Sequence, residues 1–331
     1  MTAPELLVET FRGPFLENAH LGHAVISDSK GIVRAWGDPK AVVLPRSSSK
    51  MIQALPLVAS GAAERFRLTE RQVALACASH QGARDHVSAV SKWLSDLGLS
   101  ESDLRCGPQP TRDKKLKLQM IRDGEAPCQL HNNCSGKHAG FLTLGKHLGA
   151  GPEYVDPDHP VQTAGLDAFE TVTDLKSPGF GIDGCSAPNY ATTVEAMSRA
   201  MAWFATAHTR DDGLSRAGAR LAAAMYSYPE MVAGEGRACT VLMRAANQPL
   251  ALKTGADGYF TAILPEMGLG IALKIADGTT VASESAVAAI LVKLGVLSAD
   301  DPDVQSFLCP EIRNRRGILA GHVRPSNDLL S

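Results

Sequence analysis

Charge of one sign is what this 331-residue chain most plainly lacks: 33 Lys and Arg face 35 Asp and Glu, for a formal net charge of -2. A protein that grips nucleic acid through a general electrostatic footprint is basic, so that class is excluded. Long apolar runs are missing too. The longest uninterrupted one, Ala286 to Val292, falls far short of the roughly 20 residues a membrane-spanning helix needs. The first residues, MTAPELLVETFRG, carry neither a basic n-region nor an apolar h-region, so no secretory signal is read there. There is no low-complexity tract, no repeat at a solenoid or propeller period, and no linker rich in Pro, Gly or Ser. Disorder is excluded by a hydrophobic content of 44% beside near-neutrality. What remains is a chain long enough to bury a sizeable core.

Regular cysteine spacing is also absent. The seven cysteines are Cys77, Cys106, Cys128, Cys134, Cys185, Cys239 and Cys309. An odd number at irregular intervals argues against a disulfide framework and for a reducing, cytoplasmic setting. Most are then expected to act as small buried apolar residues, and Cys77 and Cys239 are read so.

Both ends read as strands and the middle as helices. Glu5 to Phe11, His23 to Ile26 and Ile32 to Trp36 carry strand-like sequence, the last two joined by a polar turn at Ser27 to Gly31. Cys239 to Met243, Tyr259 to Leu264 and Leu269 to Ile275 read as further strands, followed by a helix from Ala282 to Leu294. Thr69-Glu70-Arg71-Gln72 is a capping-box pattern that opens a helix through Ala78. Helical stretches follow at 85–97, 113–121, 137–148, 161–172, 190–205 and 214–225. The expected fold class is α/β in the α+β sense. One antiparallel sheet, built from residues 1–45 and 236–331, is flanked by helices and carries a mainly helical region at 46–235. The whole is expected to form a single compact unit.

Two Ser-x-x-Lys matches provide an internal control. Ser27/Lys30 lies in the hairpin turn, where polar residues serve turn geometry, and is assigned no chemistry. Ser47/Lys50 lies in LPRSSSKMIQALPLVASG, where Pro45 stops an extended segment and an apolar helix begins near Lys50. A serine hydroxyl needs a base, and a lysine amine serves when neutral, a state that burial and nearby positive charge favour. Free N–H groups at a helix start also stabilise an oxyanion. The alternative is a solvated lysine beside a capping serine. Further along are Ser79-His80-Gln81-Gly82, where the helix through Ala78 ends, and, late in the chain, Lys253-Thr254-Gly255, read as following a strand-like segment. Ser-x-x-Lys early and Lys-Thr-Gly late is the chain order of penicillin-recognising serine enzymes.

A second constellation is His131-Asn132-Asn133-Cys134-Ser135-Gly136-Lys137-His138, followed by Gly181-Ile182-Asp183-Gly184-Cys185-Ser186. Cys134 and Cys185 with one nitrogen donor suit tetrahedral Zn²⁺. His138 is the usual donor type, whereas Lys137 must first lose a proton. The alternative is two core cysteines and a polar turn.

These segments carry a resemblance. PRSSSKMIQALPLVASGA, ACASHQGARDH, HNNCSGKHAGFL, GFGIDGCSAPNY and LKTGADGYF, spread in order from about Pro45 to Lys274, resemble the rhizobial-type (class 3, zinc-containing) L-asparaginases. The resemblance implies a serine β-lactamase-like fold and a homodimer that converts L-asparagine and water to L-aspartate and ammonia with little action on glutamine. It implies catalytic pairs Ser47/Lys50 and Ser79/Lys253, and zinc on Cys134, Lys137 and Cys185, so that Lys137 rather than His138 supplies the nitrogen. Arg46, His138 and Asp183 are candidates for binding the substrate's charged groups. A glutaminase, a β-lactamase-like serine hydrolase and a non-catalytic zinc-binding interaction protein are the rival readings.

Overall fold

A computed structural model describes residues 3–330. The strands run β1 (Glu5–Arg12), β2 (Phe15–Asp28), β3 (Gly31–Trp36), β4 (Val42–Val43), β5 (Phe180–Ile182), β6 (Pro188–Tyr190), β7 (Thr192–Thr193), β8 (Ala251–Gly255), β9 (Tyr259–Leu264), β10 (Leu269–Ile275), β11 (Glu311–Arg313) and β12 (Leu319–Pro325). The chain divides into two compact units. The first holds the residues through Ser48, Thr192–Thr206 and those from Gly236 on; the second holds Ser49–Ala191 and Ala207–Glu235.

The first unit is an antiparallel sheet in the order β11-β12-β1-β2-β10-β9-β8, with β3 paired to β2 off that path. It is assembled from both chain ends, as the strand-like termini predict. The interior strand β10, between β2 and β9, is buried on both faces, Ile271, Ala272 and Leu273 all being sealed from solvent. Helices Val194–Ala205 and Thr280–Lys293 both pack on it. The first of these approaches closely because Gly270 has no side chain. A Cβ there would lie 2.0 Å from the Ala202 nitrogen.

Three segments differ from the sequence reading. Cys239 to Met243 is not a strand but part of a helix, Ala238–Ala245, which buries Cys239, Thr240, Leu242 and Met243. The β-branched and sulfur-bearing residues that suggested extended backbone face a core at helical spacing instead, so packing overrides propensity. The Lys-Thr-Gly motif sits on strand β8 itself rather than after one. The helix expected over 190–205 begins only at Val194, after the short strand β7, with the Thr193 hydroxyl capping the Ala196 N–H. That helix belongs to the sheet-bearing unit, not to the helical region expected over 46–235.

The second unit is helical apart from the β5–β6 hairpin. Its helix Glu70–Ala76 starts with the predicted capping box, Thr69 and Gln72 satisfying each other's backbone N–H groups. Helix Ser135–Leu148 packs against it so closely that a Cβ on Gly136 would sit 2.4 Å from the Leu75 carbonyl oxygen. This accounts for the glycine between Ser135 and Lys137. Among the described residues, no helix is long and apolar enough to cross a membrane.

Candidate active site

Ser47 lies in the first unit, on a 3-10 turn spanning Arg46–Ser49. The turn is closed from within: the Ser48 hydroxyl and N–H both donate to the Pro45 carbonyl, at 2.6 and 3.1 Å. Ser48 is fully buried and Ser47 half-buried, so Ser47 is the serine of the pair that solvent reaches. Arg46 adopts a left-handed φ of 53°, a costly backbone state for a residue with a side chain. Its guanidinium pairs with Asp257 at 2.5 Å.

The Lys-Thr-Gly strand packs on this turn. A Cβ on Gly255 would fall 2.6 Å from the Pro45 carbonyl oxygen and 3.3 Å from the Ser48 Cβ. The motif's glycine therefore lets β8 lie against the serine-bearing turn. Thr261 of the neighbouring strand adds a hydrogen bond from its hydroxyl to the Ser48 carbonyl at 3.1 Å. On the same strand Lys253 is buried, with its Nζ donating to the Thr254 carbonyl at 2.9 Å. Cys239, from the helix mistaken for a strand, accepts the Thr254 N–H at 3.3 Å.

The second unit gathers Lys50, Ser79, Cys134, Lys137, His138, Asp183 and Cys185. Lys50 is 1% exposed. Its Nζ donates to the Ala78 carbonyl, to the Ser79 hydroxyl at 3.0 Å and to the Cys134 sulfur at 3.2 Å. The serine that Lys50 meets here is thus Ser79, a pairing the sequence spacing does not suggest.

Cys134 precedes helix Ser135–Leu148 and is held by the two asparagines before it. The Asn132 side-chain oxygen accepts the Cys134 N–H at 2.8 Å, and Asn133 accepts from the thiol at 2.9 Å. The Asn132 amide in turn donates to the carbonyls of Cys106 and Gly107. Sequence reading missed both asparagines, although an Asn-Asn step before a helix-start cysteine is a signal for side-chain-to-backbone bonding. Cys185 lies in the tight turn of the β5–β6 hairpin, closed by the Ser186 N–H on the Asp183 carbonyl at 2.8 Å. Asp183 points its carboxylate at the next backbone N–H, Gly184, at 2.8 Å.

The two thiols have opposite electrostatics. A hydrogen bond from Cys134, with the Lys137 and His138 side chains nearby, holds Cys185 well below the usual thiol range against its burial. That bond and burial push Cys134 up. Burial works against a charged Lys137, but Cys185 and Cys134 outweigh it and raise its pKa; its Nζ donates to the Cys185 sulfur at 3.2 Å. The pair is an ammonium–thiolate contact inside the protein. Burial lowers the His138 pKa, and the ring is fully enclosed, with Nδ1 bonded to the Tyr154 hydroxyl at 2.9 Å. Among the described residues, His138 Nε2 is buried without a hydrogen-bond partner. Cys106, nearby, is a thiol pushed up to about 12 by burial.

Among the described residues, no three or more His, Cys, Asp or Glu side chains are placed to hold a metal. A metal at this site therefore depends on lysine. Two sulfurs and the Lys137 amine converge within hydrogen-bonding reach, and a buried imidazole nitrogen is left without a partner. Soft sulfur and nitrogen donors of this kind fit Zn²⁺, provided Lys137 gives up its proton.

The family model described as L-asparaginase II matches residues 8–325. The chain belongs to the L-asparaginase II family. Among solved structures it is similar to Mglu in its native form, with a TM-score of 0.46 and 14% identity over 85% of this chain and 66% of that one. Mglu in its tris and glutamate form gives a TM-score of 0.48 and 13% identity over 91% of this chain and 65% of that one. A Bacillus glutaminase in 4.3 M NaCl gives 0.44 and 12%, over 84% of this chain and 92% of that one. The chain thus spans about two thirds of the length of the Mglu chains. A comparison with curated proteins gave no match.

Proposed function

We propose that this family member is an L-asparagine amidohydrolase of the zinc-containing rhizobial type, working through a serine–lysine acyl-enzyme on a serine β-lactamase-like scaffold. The observation that carries the reading is the buried amine of Lys50, three residues on from Ser47, bonded to the Ser79 hydroxyl and, among the described residues, to no carboxylate. A structural lysine is seldom buried without an anionic partner, whereas one serving as a base for serine must be.

In this mechanism the Ser47 oxygen attacks the side-chain amide carbon and Lys50, as the neutral amine, takes the hydroxyl proton. The tetrahedral intermediate collapses, the C–N bond breaks and the nitrogen leaves as ammonia after receiving a proton relayed through Ser79. Water then attacks the aspartyl ester and gives a proton to Lys50, which passes it to the Ser47 oxygen as the ester C–O bond breaks, freeing L-aspartate and restoring the Ser47 hydroxyl and the neutral amine. Lys253, on the strand that packs against the Ser47 turn, supplies a second amine at the same turn. Arg46 binds the substrate α-carboxylate in place of Asp257, and Asp183 receives the α-ammonium. Cys134, Lys137 and Cys185 would hold Zn²⁺. Two thiolates largely neutralise that ion, so it supplies substrate orientation and local order rather than an activated nucleophile.

The test is ammonia release from L-asparagine and from L-glutamine by the wild type and by Ser47→Ala. The reading expects a strong preference for asparagine and loss of kcat by at least about 10³-fold in the variant, the usual scale for removing a nucleophile. Near-normal activity in Ser47→Ala refutes the nucleophile assignment. Equal turnover of the two amides makes the protein a glutaminase–asparaginase.

A further inference from the structure

We infer that His80 is a positioning residue that holds Ser79 and Cys134 together on Lys50. The inference rests on the proposed role of the Lys50–Ser79 contact. His80 is completely buried. Its two ring nitrogens have fixed roles. The Gly82 N–H donates to Nδ1 at 3.1 Å, so the proton of the neutral ring is on Nε2. Nε2 lies 3.0 Å from the Ser135 hydroxyl, which itself donates a hydrogen bond to the Leu130 carbonyl at 3.0 Å. The Nε2–H therefore donates to Ser135. The backbone runs the same way, with the His80 N–H on the Asn133 carbonyl at 3.1 Å.

The ring thus joins two loops at adjacent residues: Ser79 precedes His80, and Cys134 precedes Ser135. Ser79 Oγ and Cys134 Sγ are the two side-chain atoms that Lys50 Nζ touches. A third segment fixes the plane of the ring. His86 stacks on His80 with centroids 4.8 Å apart and planes within 7°. His86 is tied by Nε2 to the Glu230 carbonyl at 2.9 Å, and two residues further on the Val232 carbonyl accepts the Ser79 N–H at 2.9 Å. Gly82, with a φ of 68°, closes the loop where a Cβ would meet the His131 carbonyl oxygen at 2.6 Å. All of these contacts lie within the second unit. Both ring nitrogens of His80 are already engaged by protein, so it acts through Ser79 and Cys134 and not on substrate.

The experiment compares His80→Ala, His80→Gln, Ser135→Ala and the His80→Ala/Ser135→Ala double variant, with Lys50→Met and Ser79→Ala as references. Rates of ammonia release from L-asparagine are divided by the folded fraction measured by circular dichroism. The expected result for His80→Ala is a fall in kcat of about 10- to 100-fold with KM within about threefold, the scale of misplacing a reacting group by up to 1 Å. His80→Gln keeps an N–H at the Nε2 position and is expected to recover at least half of that loss on a logarithmic scale. The double variant is expected to be no worse than the poorer single one, because both remove one bond. A His80→Ala loss that vanishes after correction for folded fraction, or a failure of glutamine to rescue, overturns the inference. If Lys50→Met and Ser79→Ala both stay active, the mechanism fails instead, independently of His80.

Discussion

Replacing Gly255 by alanine tests how the Lys-Thr-Gly strand is fitted to the Ser47 turn. The added Cβ would start 2.6 Å from the Pro45 carbonyl oxygen and 2.8 Å from the Tyr259 Cβ, with Ser48 Cβ at 3.3 Å. Ordinary contacts of a carbon atom are about 3.5 Å or more, so the strand and the turn must separate by roughly half an ångström or more. All three obstacles are a backbone atom or a Cβ, which cannot rotate away. Overpacking of this kind costs about 1–3 kcal/mol. It also shifts the turn that carries Ser47 relative to the strand that carries Lys253, and displacements approaching 1 Å lower turnover by about 10²-fold. The expectation for Gly255→Ala is a melting temperature lower by several degrees and a kcat reduced at least tenfold. Gly165→Ala serves as control: it sits inside helix Pro160–Thr173, and among the described residues no atom beyond its chain neighbours and its own helix backbone lies within 4 Å of an added Cβ. Alanine there is expected to be neutral or to stabilise by up to about 1 kcal/mol. A Gly255→Ala protein that melts within a degree of the wild type and keeps its kcat would refute the packing argument.

Other consequences follow from burial and charge. Burial lowers the His86 pKa, with its Nε2 bonded to a carbonyl, so the folded state holds this ring neutral. The unfolded chain then binds the extra proton first, and stability is lost as pH falls below the ordinary histidine value of about 6.5, by up to about 1.4 kcal/mol per pH unit for this one group. Urea titrations at stepped pH should show a shallower fall in His86→Gln; an unchanged slope contradicts a buried neutral histidine. In chelator-treated protein, Lys137→Met removes the ammonium beside Cys185, and the thiolate absorbance of that cysteine should move to higher pH. A titration that does not move would place the source of the depressed thiol elsewhere. Metal-stripped, still-folded protein is expected to keep measurable kcat with a raised KM, while a collapse of kcat alone by orders of magnitude would give zinc a chemical role.

Much of the fold is written locally. The Thr69–Gln72 capping box and the Ser27–Gly31 turn, where Asp28 captures the N–H groups of Lys30 and Gly31, are short-range patterns and were legible. Strand β12 was not. Its sequence includes Gly321, His322 and Pro325, and it is extended because it pairs with β1 at the opposite end of the chain, Val8 facing Pro325. The polar stretch Glu17 to His20 likewise becomes strand only through its register with β1. At the candidate site, Ser47 and Lys50 stood out by spacing and the other candidates by motif and resemblance, but the partners of each were not legible. Nothing in the sequence says that Lys50 meets Ser79 and Cys134, or that His138 is sealed against Tyr154. Those contacts depend on loops brought together by helix packing, as do Asn132, Asn133 and His80, which sequence reading passed over.

The central claim is a covalent aspartyl ester on a serine. Mass spectrometry of the intact protein, acid-quenched during turnover of a slow asparagine analogue and then mapped by proteolysis, tests it most directly. The account predicts one acyl adduct per chain, on the peptide containing Ser47 and absent from Ser47→Ala. An adduct on Ser79, or hydrolysis without any adduct, would contradict it.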